Sequence, residues 1–221
     1  LTYGRHGVYS ERGVSSHQDH PFMAIVEGGT TQKMGEVYAM NFVYSGNFEA
    51  QCELTPQNAA RMVMGINPYQ FEWTLNSGEV FDAPEVVMVY SANGLGEMTR
   101  NFHDLYRKHL IRGKYKSTKR PILINNWEAT YFDFDTDKLL SIASKAAELG
   151  IEMLVVDDGW FGNRFDDNRA LGDWVVNEDK IKGGLKYLVD EVNKLGMKFG
   201  MWFEPEMVCP DSDLYRAHPD W

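Results

Sequence analysis

Two rhythms of hydrophobic and polar residues divide the chain. From residue 22 to about 92, short runs rich in Val, Ile, Phe and Tyr recur: "FMAIVEG", "EVYAMNFVYSG", "FEAQCEL", "ARMVMGI", "QFEWTLNSG" and "EVVMVYS". Val37, Ala39 and Asn41 alternate with Tyr38, Met40 and Phe42, the period of a half-buried strand. Gly28-Gly29, Ser45-Gly46-Asn47 and Asn67-Pro68 punctuate the runs as turns. Closely spaced strands of this kind predict an antiparallel sandwich.

At Leu95 the period lengthens. Leu95, Met98, Phe102, Leu105, Tyr106 and Leu110 fall on one helical stripe. A basic stretch follows to Arg120; without an aromatic stacking pattern it reads as a solvated helix end and linker, not a nucleic-acid patch. After Pro121 the order becomes β-α-β-α-β. "PILINNWEA", "IEMLVVDDGW" and "MKFGMWFEPEMV" are the strands. "DTDKLLSIASKAAELG" and "GGLKYLVDEVNKLG" are the helices, the first with Asp135 or Thr136 as its cap and Gly150 just past its end. A further helical stretch opens at "SDLYRAHPDW". Successive β-α units imply parallel strands. A doubly wound sheet and an eight-stranded barrel are both open, but no Gly-x-Gly-x-x-Gly turn follows any strand. The polar and aromatic residues collect at the C-terminal strand ends, where barrel enzymes keep their chemistry. With three of eight barrel strands visible, the chain reads as a fragment.

Charge and composition refine this picture. The formal net charge is −10, yet residues 1–120 hold 12 acids and 12 bases, so the whole excess lies in the second half. That disfavours a nucleic-acid surface there. It fits either plain solubility or an acidic functional mouth. No apolar run approaches the roughly 18 residues of a membrane span, and no signal segment opens the chain. It begins at Leu1, not Met, so its start is expected to be missing. Cys52 and Cys209 form neither a disulfide framework nor a metal-ligand spacing, which points to a reducing cytoplasm.

The three strand ends carry the candidate chemistry. They read Asn125-Asn126-Trp127-Glu128, Asp157-Asp158-Gly159-Trp160 and Trp202-Phe203-Glu204-Pro205-Glu206. Carboxylates accept hydrogen bonds from hydroxyls, and indoles stack on the C–H faces of a sugar ring. Against this, Asp157 and Asp158 could cap a helix or pair with Arg164 or Arg169. Trp127, Trp160 and Trp202 could be core. Glu204 and Glu206 could be an acid/base pair or salt-bridge partners. A divalent metal on Asp157, Asp158 and Glu204 is chemically open, but no histidine lies near for a transition metal.

The strings "ERGVSSHQDHPFMAI", "NNWEATYFDF", "LVVDDGWFGNR…LGDW" and "GMWFEPEMV…DSDLYRAHPDW" closely resemble α-galactosidases of glycoside hydrolase family 36, over essentially the whole chain. The resemblance implies the later part of an N-terminal β-supersandwich over 1–94, a helical linker over 95–120, and the first three strands of a catalytic (β/α)8 TIM barrel over 121–221. It implies a retaining glycosidase acting on melibiose- or raffinose-type sugars, without metal or organic cofactor, often as a homo-oligomer such as a tetramer. A related α-N-acetylgalactosaminidase, a galactosyl transferase or a non-catalytic carbohydrate-binding remnant are the alternatives. The family's nucleophile and acid/base are aspartates expected beyond Trp221. What carries over is the substrate shell: Asp157 and Asp158 on galactose hydroxyls, with Trp202 and Trp127 lining the pocket. Glu204 and Glu206 match the family only as supporting residues. His20 and Cys209 depart from the residues usual at their positions.

Overall fold

The computed structural model describes residues 2–15 and 17–221. Leu1 and Ser16, the latter within "ERGVSSHQDHPFMAI", lie outside the described residues. The chain forms two compact units, 1–116 and 117–221.

The first unit is built from two antiparallel three-stranded sheets. One has the order β1 (Gly4–Tyr9), β4 (Phe48–Leu54), β5 (Ala60–Ile66). The other has β2 (Phe22–Val26), β3 (Val37–Phe42), β6 (Val86–Ser91). The alternation in β3 sorts its side chains as the period of two requires. Phe42 packs with Phe48, Ala50 and Met64 of the other sheet. Val37 and Ala39 face the opposite way, onto helix α1 (Gly94–Leu105) through Met98 and Phe102.

That packing corrects the expected linker over 95–120. The helical stripe finds an apolar sheet face, so α1 is part of the first unit. A π-helical turn over Tyr106–Leu110 extends it, and the Tyr106 hydroxyl donates to Asn41 Oδ1 at 2.6 Å. Two further differences concern strands. "QFEWTLNSG" forms no ladder; Phe71 and Trp73 pack on Phe81 within a loop instead. Conversely, β1 precedes every strand expected from the pattern, because pairing with β4 from Gly4↔Leu54 to Tyr9↔Glu49 extends a segment of low strand propensity.

The second unit carries a parallel sheet, β7 (Leu123–Asn125), β8 (Met153–Val156) and β9 (Lys198–Met201), in that order. A helical turn, α2 (Trp127–Thr130), follows β7. Helix α3 (Thr136–Glu148) then links β7 to β8, and α4 (Gly184–Lys194) links β8 to β9. Asp135 caps α3 by accepting from the Lys138 N–H at 2.9 Å. Gly150 and Gly196, at φ of +83° and +79°, follow α3 and α4 in the left-handed conformation that ends a helix. Leu139, Ala143 and Ala146 of α3 and Leu188 and Val192 of α4 share one core with Leu154 and Val156. The last helix, α5 (Asp213–Ala217), is capped by Ser212. Parallel pairing, Asn125↔Val155 and Val156↔Met201, brings all three C-terminal strand ends to one edge.

Candidate carbohydrate site at the carboxyl edge of the parallel sheet

The backbone ladder continues one residue past each outer strand. Asn126 N–H donates to Val155 O at 3.4 Å and Trp202 N–H to Val156 O at 2.9 Å. This registers three polar clusters side by side. Asn126, fully buried, accepts from the Asp157 N–H at 2.8 Å and donates to Thr130 Oγ1 at 2.8 Å. Asn125 Nδ2 donates to the Asp157 carboxylate, and its Oδ1 accepts from the Trp127 N–H at 2.7 Å. One asparagine therefore ties the indole-bearing turn after β7 to the first acid after β8. The asparagine pair stood beside the candidate residues in the sequence, but adjacency alone did not disclose its role.

The two acids part company at the end of β8. The strand stops at Val156, and Gly159 turns the chain at φ +98°. A Cβ there would stand 2.9 Å from the Phe132 ring, so the close approach admits only glycine. Asp157 is half-buried at the rim and accepts the Asp158 N–H at 2.7 Å. Asp158 turns inward. Arg164 Nε donates to its two oxygens at 3.0 and 3.2 Å, and Nη2 to Oδ2 at 2.8 Å. The two side chains are only 7% and 4% exposed. Of the pairings the sequence left open for the two acids, Asp158 takes the one with Arg164, and its carboxylate is anchored by that buried partner. Burial opposes the Arg164 charge, but hydrogen bonds and charge from Asp158 outweigh it and raise the guanidinium's pKa. Nη1 donates to Arg169 O at 3.0 Å, and the guanidinium carbon lies 5.7 Å from the Phe132 ring centre.

The aromatic residues divide into two groups. Trp127 is half-buried and meets Tyr131 and Phe132 edge-on at 5.2 and 5.0 Å. Trp202 is half-buried beside Phe161 and Trp174, with centroids 6.5 and 6.3 Å away. Trp160 is core, and its Nε1–H donates to Trp202 O at 3.0 Å, fixing where β9 ends relative to the turn after β8. Burial, then the charges of Glu206 and Asp158, raise the carboxyl pKa of Glu204. Among the described residues, no cluster of three or more His, Cys, Asp or Glu side chains is arranged to hold a metal ion.

Lys180 was invisible as a site residue in the sequence, 21 positions beyond Gly159 with no motif around it. It is only 8% exposed, and its ammonium donates to Phe132 O at 2.8 Å and Gly159 O at 2.7 Å.

The fold and this edge define a class: an antiparallel β unit followed by a parallel β/α unit that gathers carboxylates, amides and indoles at its carboxyl edge. Comparison with known proteins makes the assignment particular. Residues 80–221 match the Melibiase family, and residues 1–76 match the glycosyl hydrolase family 36 N-terminal domain. The chain belongs to the Melibiase family. It is 57% identical over its full length to α-galactosidase AgaA of Geobacillus stearothermophilus, covering 30% of that protein. It is 51% identical, again over its full length, to the bifunctional α-galactosidase/sucrose kinase AgaSK of Mediterraneibacter gnavus, covering 24% of it. The crystal structure of the Geobacillus enzyme superposes on the whole chain with a TM-score of 0.93 at 56% identity, over 31% of its own length. A variant of that enzyme has been crystallised with raffinose. The chain thus spans about a third or less of the proteins it matches.

Proposed function

We propose that the chain is part of a retaining α-galactosidase that hydrolyses terminal α-galactosyl groups of melibiose- and raffinose-type oligosaccharides. The observation that carries the reading is the Asn125 bridge, which holds the Asp157 carboxylate and the Trp127 backbone together at one rim. A fixed acceptor beside an indole is what a hydroxyl-rich ring with an apolar face requires. The kinship with α-galactosidases over the full length of the chain supports the same reading.

In this reading the second unit is the start of a (β/α)8 barrel and the first is part of a β-supersandwich. Asp157 accepts from galactose hydroxyls remote from the reacting carbon. Arg164 occupies one edge of the Asp158 carboxylate, and a carboxylate has about four lone-pair sites. The remaining ones are available to a sugar hydroxyl. Trp127 and Trp202 flank the ring. The nucleophile and the acid/base, which in retaining enzymes stand about 5–5.5 Å apart, belong to the remaining length of the enzyme.

The test uses the enzyme expressed from its complete reading frame. It should hydrolyse p-nitrophenyl α-galactoside and raffinose, with α-galactose as the first-formed anomer by NMR. Losing one charged contact, about 1.5–3 kcal/mol, should lower kcat/KM of Asp157→Ala about ten- to more than a hundredfold. First-formed β-galactose would overturn retention. Unchanged kcat/KM in Asp157→Ala would remove Asp157 from the sugar site.

A further inference from the structure

Phe132 is a hub beneath the rim. Trp127 packs on its ring edge-on at 5.0 Å, Gly159 closes against it, and the Arg164 guanidinium lies over it at 5.7 Å. Its carbonyl is taken by Lys180. The same ammonium takes the carbonyl of Gly159, in the turn that follows the two acids.

The lysine is itself firmly mounted. Its N–H donates to Asn177 Oδ1 at 3.1 Å, and its carbonyl accepts from the Thr136 N–H, the first residue of α3, at 3.0 Å. Thr136 Oγ1 also donates to Lys182 O at 3.1 Å. The ammonium lies 4.1 Å from the Phe134 ring centre and 5.4 Å from that of Phe165. The side chain therefore reaches the rim from a fixed origin through an aromatic sleeve.

We propose that Lys180 is a positioning residue of the sugar-binding rim: one buried ammonium joins the loop that backs Trp127 to the turn that follows Asp157 and Asp158, and so fixes the spacing of the indole and the carboxylates. The two segments are 27 positions apart in sequence; Asn125 and Asn126 join them at the strand ends, and Lys180 joins them again farther along, at Phe132 and Gly159. A charged donor serves two carbonyls at once, which no apolar side chain of similar length can do. Burying an ammonium is unfavourable and depresses its pKa to about 8, with the charges of Asp158 and Asp133 partly opposing the shift. A side chain filling space alone would carry no such penalty.

The inference rests on the sugar-site reading, and the experiment separates the two. In the complete enzyme, kcat, KM and the inhibition constant of free galactose are measured for the parent, Lys180→Met, Lys180→Arg and Asp157→Ala. All are assayed at a temperature where the variant is fully folded by circular dichroism. Misplaced contacts cost on the order of tenfold to a hundredfold. Lys180→Met should therefore raise the galactose inhibition constant about tenfold or more and lower kcat/KM at least as much. Lys180→Arg, which keeps charge and donors, should fall between Lys180→Met and the parent. A purely structural lysine would lower the melting temperature and leave the inhibition constant of the folded protein unchanged. Parent-like constants in Lys180→Met, alongside a defective Asp157→Ala, would overturn the positioning role and leave the sugar site standing. A parent-like Asp157→Ala would overturn the sugar site and the inference with it. If Lys180→Met does not fold, Lys180→Gln, which is shorter and uncharged, decides: a constant more than threefold above the parent supports positioning, and a parent-like one overturns it.

Discussion

The two units treat charge in opposite ways. In the first, the buried polar residues among those described are neutral: Ser10, Asn67 and Ser91. Its ion pairs lie at the surface, as between Arg61 and Glu53, whose side chains are 59% and 25% exposed. In the second, Asp158, Arg164 and Lys180 are all buried, and all three gather around the turn that follows β8. Burying charge is unfavourable unless partners compensate closely. A unit that needs only to pack keeps charge outside; the unit with the rim concentrates it beneath one turn. The antiparallel sheets are scaffold in this respect, while the parallel sheet spends stability on the placement of two carboxylates.

The sharpest way to break that contrast is to remove one arginine from each unit. Arg164→Ala strips Asp158 of its hydrogen-bonding partner and leaves a buried carboxylate with its oxygens unpaired. The loss should be about 3–5 kcal/mol. Arg61→Ala removes an exposed pair and should cost less than about 1 kcal/mol. Urea unfolding of the two variants measures the difference, and equal losses would erase the distinction between the units. Replacing both partners, Asp158→Asn with Arg164→Met, should cost clearly less than the sum of the single changes, since neither partner is then stranded.

The contrast also explains how much was legible in the sequence. Period alone located β2 to β6, the three parallel strands and the main helices, because each buries one face of a regular pattern. Asp135 and Gly150 marked the ends of α3 through local backbone chemistry. The failures are tertiary. "QFEWTLNSG" has the alternation of a strand but finds no partner edge, and β1, with Gly4 and Gly7 and little apolar content, becomes a strand only through β4. The stripe in α1 was visible, but not the sheet face that receives it. At the site, the strand-end clusters stood out because acids and indoles recur three times. Arg164 was one of two candidate partners for the acids, and the structure selects it for Asp158. Lys180 left no trace, since two backbone carbonyls are acceptors that every residue offers.

A second, smaller effect concerns pH. Burial lowers the folded-state pKa of Lys180 to about 8, against an ordinary value of 10.5. Below pH 8 the lysine is charged in both states, and the full penalty of burying it is present. Between about 8 and 10.5 the unfolded chain holds the proton that the folded chain has released, so unfolding takes up a proton and stability rises with pH. The gain from this one group is on the order of 3 kcal/mol across the window. Unfolding free energies measured from pH 7 to 10.5 should therefore rise less steeply in Lys180→Met than in the parent. Parallel pH curves would show that the lysine titrates normally and that the second unit buries less charge than its geometry indicates.

The smallest expected effect compares how the two units cap their helices. In the second unit, Asp135 accepts the Lys138 N–H at 2.9 Å, and Asp137 adds negative charge to the first turn. The cap is a single side chain, so Asp135→Ala should cost about 1 kcal/mol. In the first unit, Asn93 precedes α1 without a side-chain cap bond. The opening N–H groups of α1 are satisfied by backbone instead: Gly94 donates to Gly35 O at 2.9 Å, Leu95 to Thr31 O at 3.0 Å and Gly96 to Gln32 O at 3.0 Å. The loop can come this close because a Cβ at Gly94 would meet Thr31 O at 2.4 Å, a contact only glycine avoids. A cap made of backbone cannot be deleted by a side-chain substitution. Asn93→Ala gives up a bond from its amide to Glu97 at the surface and should change stability by no more than about 0.5 kcal/mol. Thermal unfolding of both variants tests the pair. A loss at Asn93 as large as that at Asp135 would mean that α1 depends on its side chains for initiation, and that the first unit is less self-supporting in its backbone than its hydrogen bonds imply.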